Sequence, residues 1–287
     1  MRISGHTKVC SVIGDPVCRT LSPVMHNAAF KEAKLDYVYV GFRVAENELQ
    51  DAMQGVRSLG IHGINVTMPH KSSVIKYLDG LDPMAERIGA VNTILNEKGK
   101  LRGFDTDGIG TMAALEGKGV NLKGRKLLLL GAGGAARAVA FQAAREAGEL
   151  TILNRSVGKA RELARVLGRE FGKPINGESL SPDRVNEELE NTDVIVNATS
   201  IGMYPHSEEI PISSEWLTKN LCIMDLVYDP LETRLIKAAK AAGAKVINGL
   251  EVLVAQGAVS FEIWTGVKAP VEVMRAALVK RFKEAEP

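Results

Sequence analysis

The segment Leu127-Leu128-Leu129-Leu130-Gly131-Ala132-Gly133-Gly134-Ala135-Ala136 limits the folds open to this chain more than any other stretch. A short apolar run suits a strand buried on both faces, and residues 135–147 then favour helix. A strand that enters a helix through a glycine-rich turn belongs to a βαβ unit. Gly131 admits the tight turn, Gly133 lets a ligand approach the backbone, and Ala136 is small enough for close helix–strand packing. This is the G-x-G-x-x-A form of a dinucleotide-binding turn, with the helix N-terminus offering N–H donors to a pyrophosphate. An ordinary strand-to-helix turn is the plainer alternative. The apolar strand before it and the alanine-rich helix after it favour the dinucleotide site.

Strand and helix patterns alternate on both sides of that turn. Ahead of it, residues 9–13, 37–42 and 61–66 read as strands, while 23–33 and 46–59 read as helices. Pro69 is placed in the first turn of a further helix. Residues 92–95 and 101–104 around Glu97-Lys98-Gly99 read as a hairpin, expected at an antiparallel edge. Behind it, strands are expected at 126–130, 150–153, 194–197, 221–227 and 245–247, with helices at 135–147, 159–167 and 232–242. Thr106 is a good N-cap for a helix in the joining segment 105–124. At 287 residues the chain is about twice a usual domain length. The expected fold is therefore α/β with two domains: a mostly parallel α/β domain over 1–106, and a Rossmann domain over 107–249. Helices over about 250–287 are expected to pack back onto the first domain.

A formal net charge of +2, with both signs spread along the chain, argues against a nucleic-acid or acidic-membrane binder. The apolar runs are too short to span a bilayer, and the first residues lack the apolar core of a secretory signal. Cys10, Cys18 and Cys222 show no C-x-x-C spacing, so a reducing cytoplasm is the natural setting. The histidines are scattered, so no metal is expected.

The end of the second Rossmann strand bears on the dinucleotide. An NAD site places an acidic residue about twenty positions after the first glycine, on the ribose 2′-hydroxyl. This chain has Asn154-Arg155-Ser156 there, with Lys159 and Arg161 one turn further on. A guanidinium pairs with a phosphate in a charge-assisted fork, which favours NADP. A solvated basic helix start is the alternative.

Three polar clusters lie in the first half. Thr20-Leu21-Ser22-Pro23 sets two hydroxyls before a helix, fit for a carboxylate, although Ser22 as a plain N-cap explains it too. Asn65-Val66-Thr67-Met68-Pro69-His70-Lys71 puts polar groups at the C-terminal end of a strand, where α/β sheets bind ligands. A lone lysine there is more often a solvated helix residue. Gly103-Phe104-Asp105-Thr106-Asp107-Gly108 places two carboxylates at a helix start, where capping is the simpler role.

Taken in order, these clusters resemble the shikimate dehydrogenase family. Ile13-Gly14-Asp15-Pro16 and the span Ile88-Gly89-Ala90-Val91-Asn92-Thr93 join them, as do Asn197-Ala198-Thr199-Ser200-Ile201-Gly202-Met203, Asp225-Leu226-Val227-Tyr228, Asn248-Gly249-Leu250 and Gln256-Gly257. The N-V-T-x-P-x-K and T-D-G motifs are the specific part of the likeness. Where the family usually has His-Ser-x-Ser-Pro, this chain has Arg19-Thr20-Leu21-Ser22-Pro23. Threonine keeps the hydroxyl and adds a methyl, which bears on the choice between shikimate and quinate.

The resemblance implies an oxidoreductase that reversibly reduces 3-dehydroshikimate to shikimate with NADPH, on the route to chorismate and the aromatic amino acids. It implies Lys71 and Asp107 as the catalytic pair. Thr20, Ser22 and Tyr228 would hold the substrate carboxylate, and Thr67, Asn92, Asp107 and Gln256 the ring hydroxyls. Gly131, Ala132, Gly133, Gly134, Ala135, Asn154, Arg155, Ser156, Lys159, Leu226 and Gly249 would line the NADP. Core packing is the competing role for Leu226 and Tyr228. A homodimer is the candidate assembly. A quinate/shikimate dehydrogenase using NAD, and a non-catalytic ligand sensor on the same fold, are the alternatives.

Overall fold

The computed structural model describes residues 3–285. One compact unit holds the chain up to Gly110 together with the segment from Val254 onward; the other is Thr111–Leu253. Among the described residues each unit carries a six-stranded sheet.

In the first unit β1 (Lys8–Gly14) lies parallel between β2 (Tyr37–Arg43) and β3 (Gly63–Val66). Its burial from Cys10 to Gly14 explains why it reads as a continuous apolar run. The helices α1 (Ser22–Glu32) and α2 (Leu49–Ser58) follow β1 and β2. Next come β4 (Gly80–Leu81), α3 (Pro83–Ile88), β5 (Thr93–Glu97), β6 (Lys100–Phe104) and the first turn of α4 (Asp107–Gly117), whose residues from Thr111 belong to the other unit. The strand order is β2-β1-β3-β5-β6-β4, with the β5–β6 hairpin antiparallel to β3 and β4 parallel to β6. The hairpin is thus inside the sheet, and the edge expected of it belongs to the two residues of β4.

Two further expectations fail locally. A 3-10 turn, Glu46–Glu48, precedes α2, so the helix starts later than its pattern suggests. No α-helix follows Pro69, and only a 3-10 turn over Ser73–Tyr77 forms. Tertiary contacts hold the intervening residues as a loop: buried His70 places Nε2 2.7 Å from the Val44 carbonyl, and the Lys71 carbonyl accepts the Val91 N–H at 2.8 Å.

The second unit contains β7 (Lys126–Leu130), α5 (Gly134–Glu146), β8 (Glu149–Asn154), α6 (Val157–Phe171), β9 (Asn176–Ser179), α7 (Pro182–Leu189), β10 (Val194–Asn197), β11 (Cys222–Asp225), α8 (Arg234–Ala241) and β12 (Lys245–Ile247). All its strands are parallel, in the order β12-β11-β10-β7-β8-β9. The order reverses between β7 and β10, which is where open α/β sheets bind their ligands. Two long helices close the chain, α9 (Gly249–Thr265) and α10 (Val271–Ala285). From Val254 onward they belong to the first unit. There α10 packs on α1, and Trp264 Nε1 donates to the Ile94 carbonyl at 2.9 Å. Among the described residues no helix is long and apolar enough to cross a membrane.

His26 sits under that packing, fully buried and stacked on Tyr39 with ring centroids 4.6 Å apart. Among the described residues no group hydrogen-bonds either ring nitrogen. Burial therefore holds its pKa down at about 3, against 6.5 for the free side chain. Below pH 6.5 the unfolded chain binds a proton that the folded chain refuses, so stability falls with falling pH, by roughly 2 kcal/mol between pH 6.5 and 5. Urea unfolding of His26→Phe beside the wild type checks this. The two midpoints should separate as pH falls from 7 to 5, the variant losing less; parallel midpoints would refute it.

Candidate active site

The polar residues of the first unit converge at the C-terminal ends of β1 and β3. Thr67 follows β3, with its N–H on the Ile13 carbonyl at 2.9 Å. A Cβ on Gly14 would lie 2.3 Å from the Thr67 methyl, so only glycine leaves room for it. Lys71 comes from the loop beyond, and its ammonium pairs with Asp107 Oδ2. Both side chains are recessed, at 19% and 12% exposure, which shields the pair from the screening that weakens surface ion pairs.

Asn92 fixes the other side of that carboxylate. Its Nδ2 donates to Asp107 Oδ1 at 2.7 Å and to Thr106 Oγ1 at 2.9 Å, and faces Gln256 Oε1 at 3.3 Å. Its Oδ1 accepts the Thr106 N–H and the Thr93 hydroxyl, both at 2.9 Å. Lys71, Asn92, Asp107 and Gln256 are thereby brought into one connected set. Ser260, one helical turn after Gln256 on α9, extends it to Thr93 at 2.7 Å and to Asn65 at 3.2 Å. Asn65 Oδ1 accepts the Tyr39 hydroxyl at 2.6 Å. Asn65 and Thr93 lie in the motifs read from the sequence but carry no assigned role there, and Ser260 is a new member, for which the i, i+4 spacing from Gln256 on an apolar helix is the visible signal.

Capping differs from expectation at both helix starts. Leu21, not Ser22, is the N-cap of α1, and no side chain caps it. The buried Ser22 hydroxyl lies 3.3 Å from Thr20 Oγ1 instead, so the two hydroxyls form a pair. At α4 the Thr106 hydroxyl turns into the Asn92 set, and Asp105 Oδ1 accepts the N–H groups of Asp107 and Gly108.

In the second unit Gly131 has φ +115° and would bring a Cβ within 2.9 Å of the Ala198 carbonyl, so conformation and space both require glycine. Ala132 is buried, while Gly133 is the N-cap of α5 with open space around it and no side-chain cap. Gly134 and Ala135 form the first turn of α5. A backbone cradle with uncapped donors fits a dinucleotide pyrophosphate. At the end of β8, Asn154 Nδ2 donates to the Ser156 carbonyl at 3.0 Å, shaping the start of α6. Arg155, Ser156 and Lys159 are exposed, and among the described residues neither cation has a salt-bridge partner. Arg161, by contrast, pairs with Glu178 at 3.2 Å.

Strand β11 ends at Asp225, two residues before the expected end. Leu226 and Tyr228 are half-buried loop residues just past it, so neither is core. Gly249 opens α9 against the Val227 carbonyl. The loops here are tied by buried Asp225, which accepts Asn197 Nδ2 at 2.9 Å, the Val227 N–H at 3.0 Å and the Thr233 hydroxyl at 2.6 Å. Burial pushes its carboxyl up to about 6 against those three bonds.

Comparison with known proteins follows the same division. A family model described as the shikimate dehydrogenase substrate binding domain matches residues 12–94. The shikimate/quinate 5-dehydrogenase model matches 113–226, and the shikimate 5′-dehydrogenase C-terminal domain model matches 249–279. The chain is 48% identical over 281 residues to the shikimate dehydrogenase (NADP(+)) of Methanocaldococcus jannaschii, covering 98% of this chain and 99% of that one. A crystal structure of a shikimate dehydrogenase in complex with NADP+ superposes with a TM-score of 0.92 at 46% identity, covering 98% of each chain. The shikimate 5-dehydrogenase of Thermus thermophilus, solved with NADP(H) and shikimate, gives 0.83 at 38% identity, over 95% of this chain and 99% of that one. With these likenesses running the length of both units, the chain belongs to the shikimate dehydrogenase family.

Proposed function

We propose that this chain catalyses the reversible NADPH-dependent reduction of 3-dehydroshikimate to shikimate. The observation that carries the reading is the recessed Lys71–Asp107 pair, held on its far side by Asn92. When bound, the reduced cofactor supplies the hydride that adds to the ketone carbon. Lys71 holds a proton at Nζ and delivers it to the carbonyl oxygen as that oxygen gains negative charge. In the oxidation direction the same nitrogen takes the proton back from the hydroxyl. Asp107 orients Lys71 and, with Asn92, Thr67 and Gln256, offers acceptors and donors to the ring hydroxyls. The paired hydroxyls of Thr20 and Ser22 suit the substrate carboxylate.

For the cofactor, Gly131, Ala132, Gly133, Gly134 and Ala135 would hold the pyrophosphate. Asn154, Arg155, Ser156 and Lys159 would hold the 2′-phosphate end, and Leu226 and Gly249 the nicotinamide end. The first unit is assigned to the substrate and the second to NADP. Unpaired Arg155 and Lys159 favour a phosphorylated ribose over the hydroxyl of NAD. A cytoplasmic setting fits the free thiols of Cys10, Cys18 and Cys222, and a homodimer is retained as the candidate assembly.

Purified protein given shikimate or quinate, each with NADP⁺ or NAD⁺, should form NADPH from shikimate fastest. Absence of NADPH formation from shikimate would remove the assignment. Lys71→Ala should lower kcat by about 10²–10⁴-fold, the usual size of an acid–base contribution, while shikimate KM changes less. Retained turnover would show that another group exchanges the proton. Arg155→Ala should raise the KM for NADP⁺ by roughly tenfold or more, as loss of a charge-assisted hydrogen bond implies, and leave that for NAD⁺ nearly unchanged. Equal effects on the two cofactors would disprove the 2′-phosphate role.

A further inference from the structure

Asp105 is used by none of the steps above, although it is among the most enclosed carboxyls beside the site, at 5% exposure. Its Oδ1 accepts the N–H groups of Asp107 at 3.1 Å and Gly108 at 3.5 Å, which fixes the first turn of the helix that carries Asp107. Its Oδ2 is buried, and among the described residues no group hydrogen-bonds to it. An ionised carboxylate left in that state would be strongly disfavoured. The charged groups acting on it are Asp107, two residues on at the start of α4, and Lys71, from the loop after β3. Both are already committed: Asp107 Oδ2 to Lys71 and Oδ1 to Asn92. Burial first, and then repulsion from Asp107, push the Asp105 carboxyl up to about 8, against the pull of Lys71 and the two amides.

We propose that Asp105 is a positioning residue for this reaction: its grip on two amides aims the Asp107 carboxylate at Lys71, and its neutral carboxyl leaves that lysine one negative neighbour instead of two. The inference rests on the reading of Lys71 as the group that exchanges a proton with substrate. Once Asp105 ionises, a second negative charge near Nζ stabilises the ammonium, leaving less of the neutral amine that must accept the alcohol proton during oxidation. Asp105 therefore restrains the rise of oxidation on the alkaline side of the profile. It does so without touching substrate.

Two variants separate the two halves of this role. Asn keeps an oxygen for the two amides, is as good a cap as Asp and has nothing to titrate; Ala loses both properties. Shikimate oxidation by Asp105→Asn should stay within about threefold of wild-type kcat at pH 7, with its alkaline rise moved to lower pH. Asp105→Ala should lose at least about tenfold in kcat with a smaller change in KM, because the dyad is misplaced. An Asn variant as slow as the Ala variant, or an unchanged pH profile, would overturn the proposal.

A measurement without substrate stands beside these. Infrared spectra of the unliganded protein at pH 6–7 should contain a neutral carboxylic acid band that Asp105→Asn lacks; coincident spectra would overturn the proposal whatever the substrate is. A wild type that shows the band but does not oxidise shikimate would count against the assigned reaction and support the neutral carboxyl. Stability gives a third readout. The folded value lies above the unfolded 3.8, so the unfolded chain releases this proton first and stability falls as pH rises toward 8. The melting midpoint of Asp105→Asn should therefore gain on the wild type between pH 5 and 8, and a constant gap would refute the inference.

Discussion

The side-chain amide of Asn92 is the contact on which the first unit's site depends. Through Nδ2 it holds Thr106 and Asp107, and through Oδ1 it accepts the Thr106 backbone and Thr93. One residue ahead of β5 thus sets the start of α4 and the azimuth of the carboxylate facing Lys71. A buried network of this kind is favourable only when every member is satisfied, since each orphaned group costs about 1–3 kcal/mol. It extends through Ser260 and Asn65 to the Tyr39 hydroxyl, so the polar site and the aromatic packing share one set of bonds. The second unit repeats the device with Asp225, whose three hydrogen bonds tie the ends of β10 and β11 and the start of α8.

Asp225 ends β11 and Asn92 stands just ahead of β5, so chain direction rather than any single side chain decides what can converge. In the first unit the parallel trio β2-β1-β3 brings Gly14, Thr67 and Lys71 into one region. The antiparallel hairpin then brings Asn92 in at the start of β5 and returns the chain along β6 so that Asp107 arrives in the same sense as Thr67. In the second, reversal of strand order beside β7 leaves the Gly131 turn against Ala198. Each unit therefore supplies a site by topology and tunes it by a buried polar lock.

Much of this was legible in the sequence. The βα alternation and the Gly131 turn follow from apolar runs and small residues whose reasons are local. Asp82-Pro83 and Gly89 around α3 also spelled a cap, a first turn and a C-cap, with Asp82 accepting the Met84 N–H, yet a helix of one and a half turns offers too little periodicity to be read. Strand β9, Asn-Gly-Glu-Ser, has no apolar alternation; its place beside β8 is set by pairing alone. The stretch after Pro69 fails for a different reason, because contacts from Val44 and Val91 override local preference. At the site, residue types were readable but partners were not. Ser22 looks like a cap and is not; Asp105 looks interchangeable with Asp107 and differs in every hydrogen bond.

The exposure of Arg155 and Lys159, set against the recessed Lys71–Asp107 pair, makes the two halves of the chain answer differently to ionic strength. Charges in open solvent lose their reach beyond a Debye length of about 8 Å at physiological salt, whereas a sheltered pair is screened far less. With the roles proposed above, rising salt would erode the preference for a phosphorylated ribose while leaving proton transfer at Lys71 largely intact. On that reading cofactor choice is a property of protein and medium together, and the chemistry at the ketone is a property of the protein.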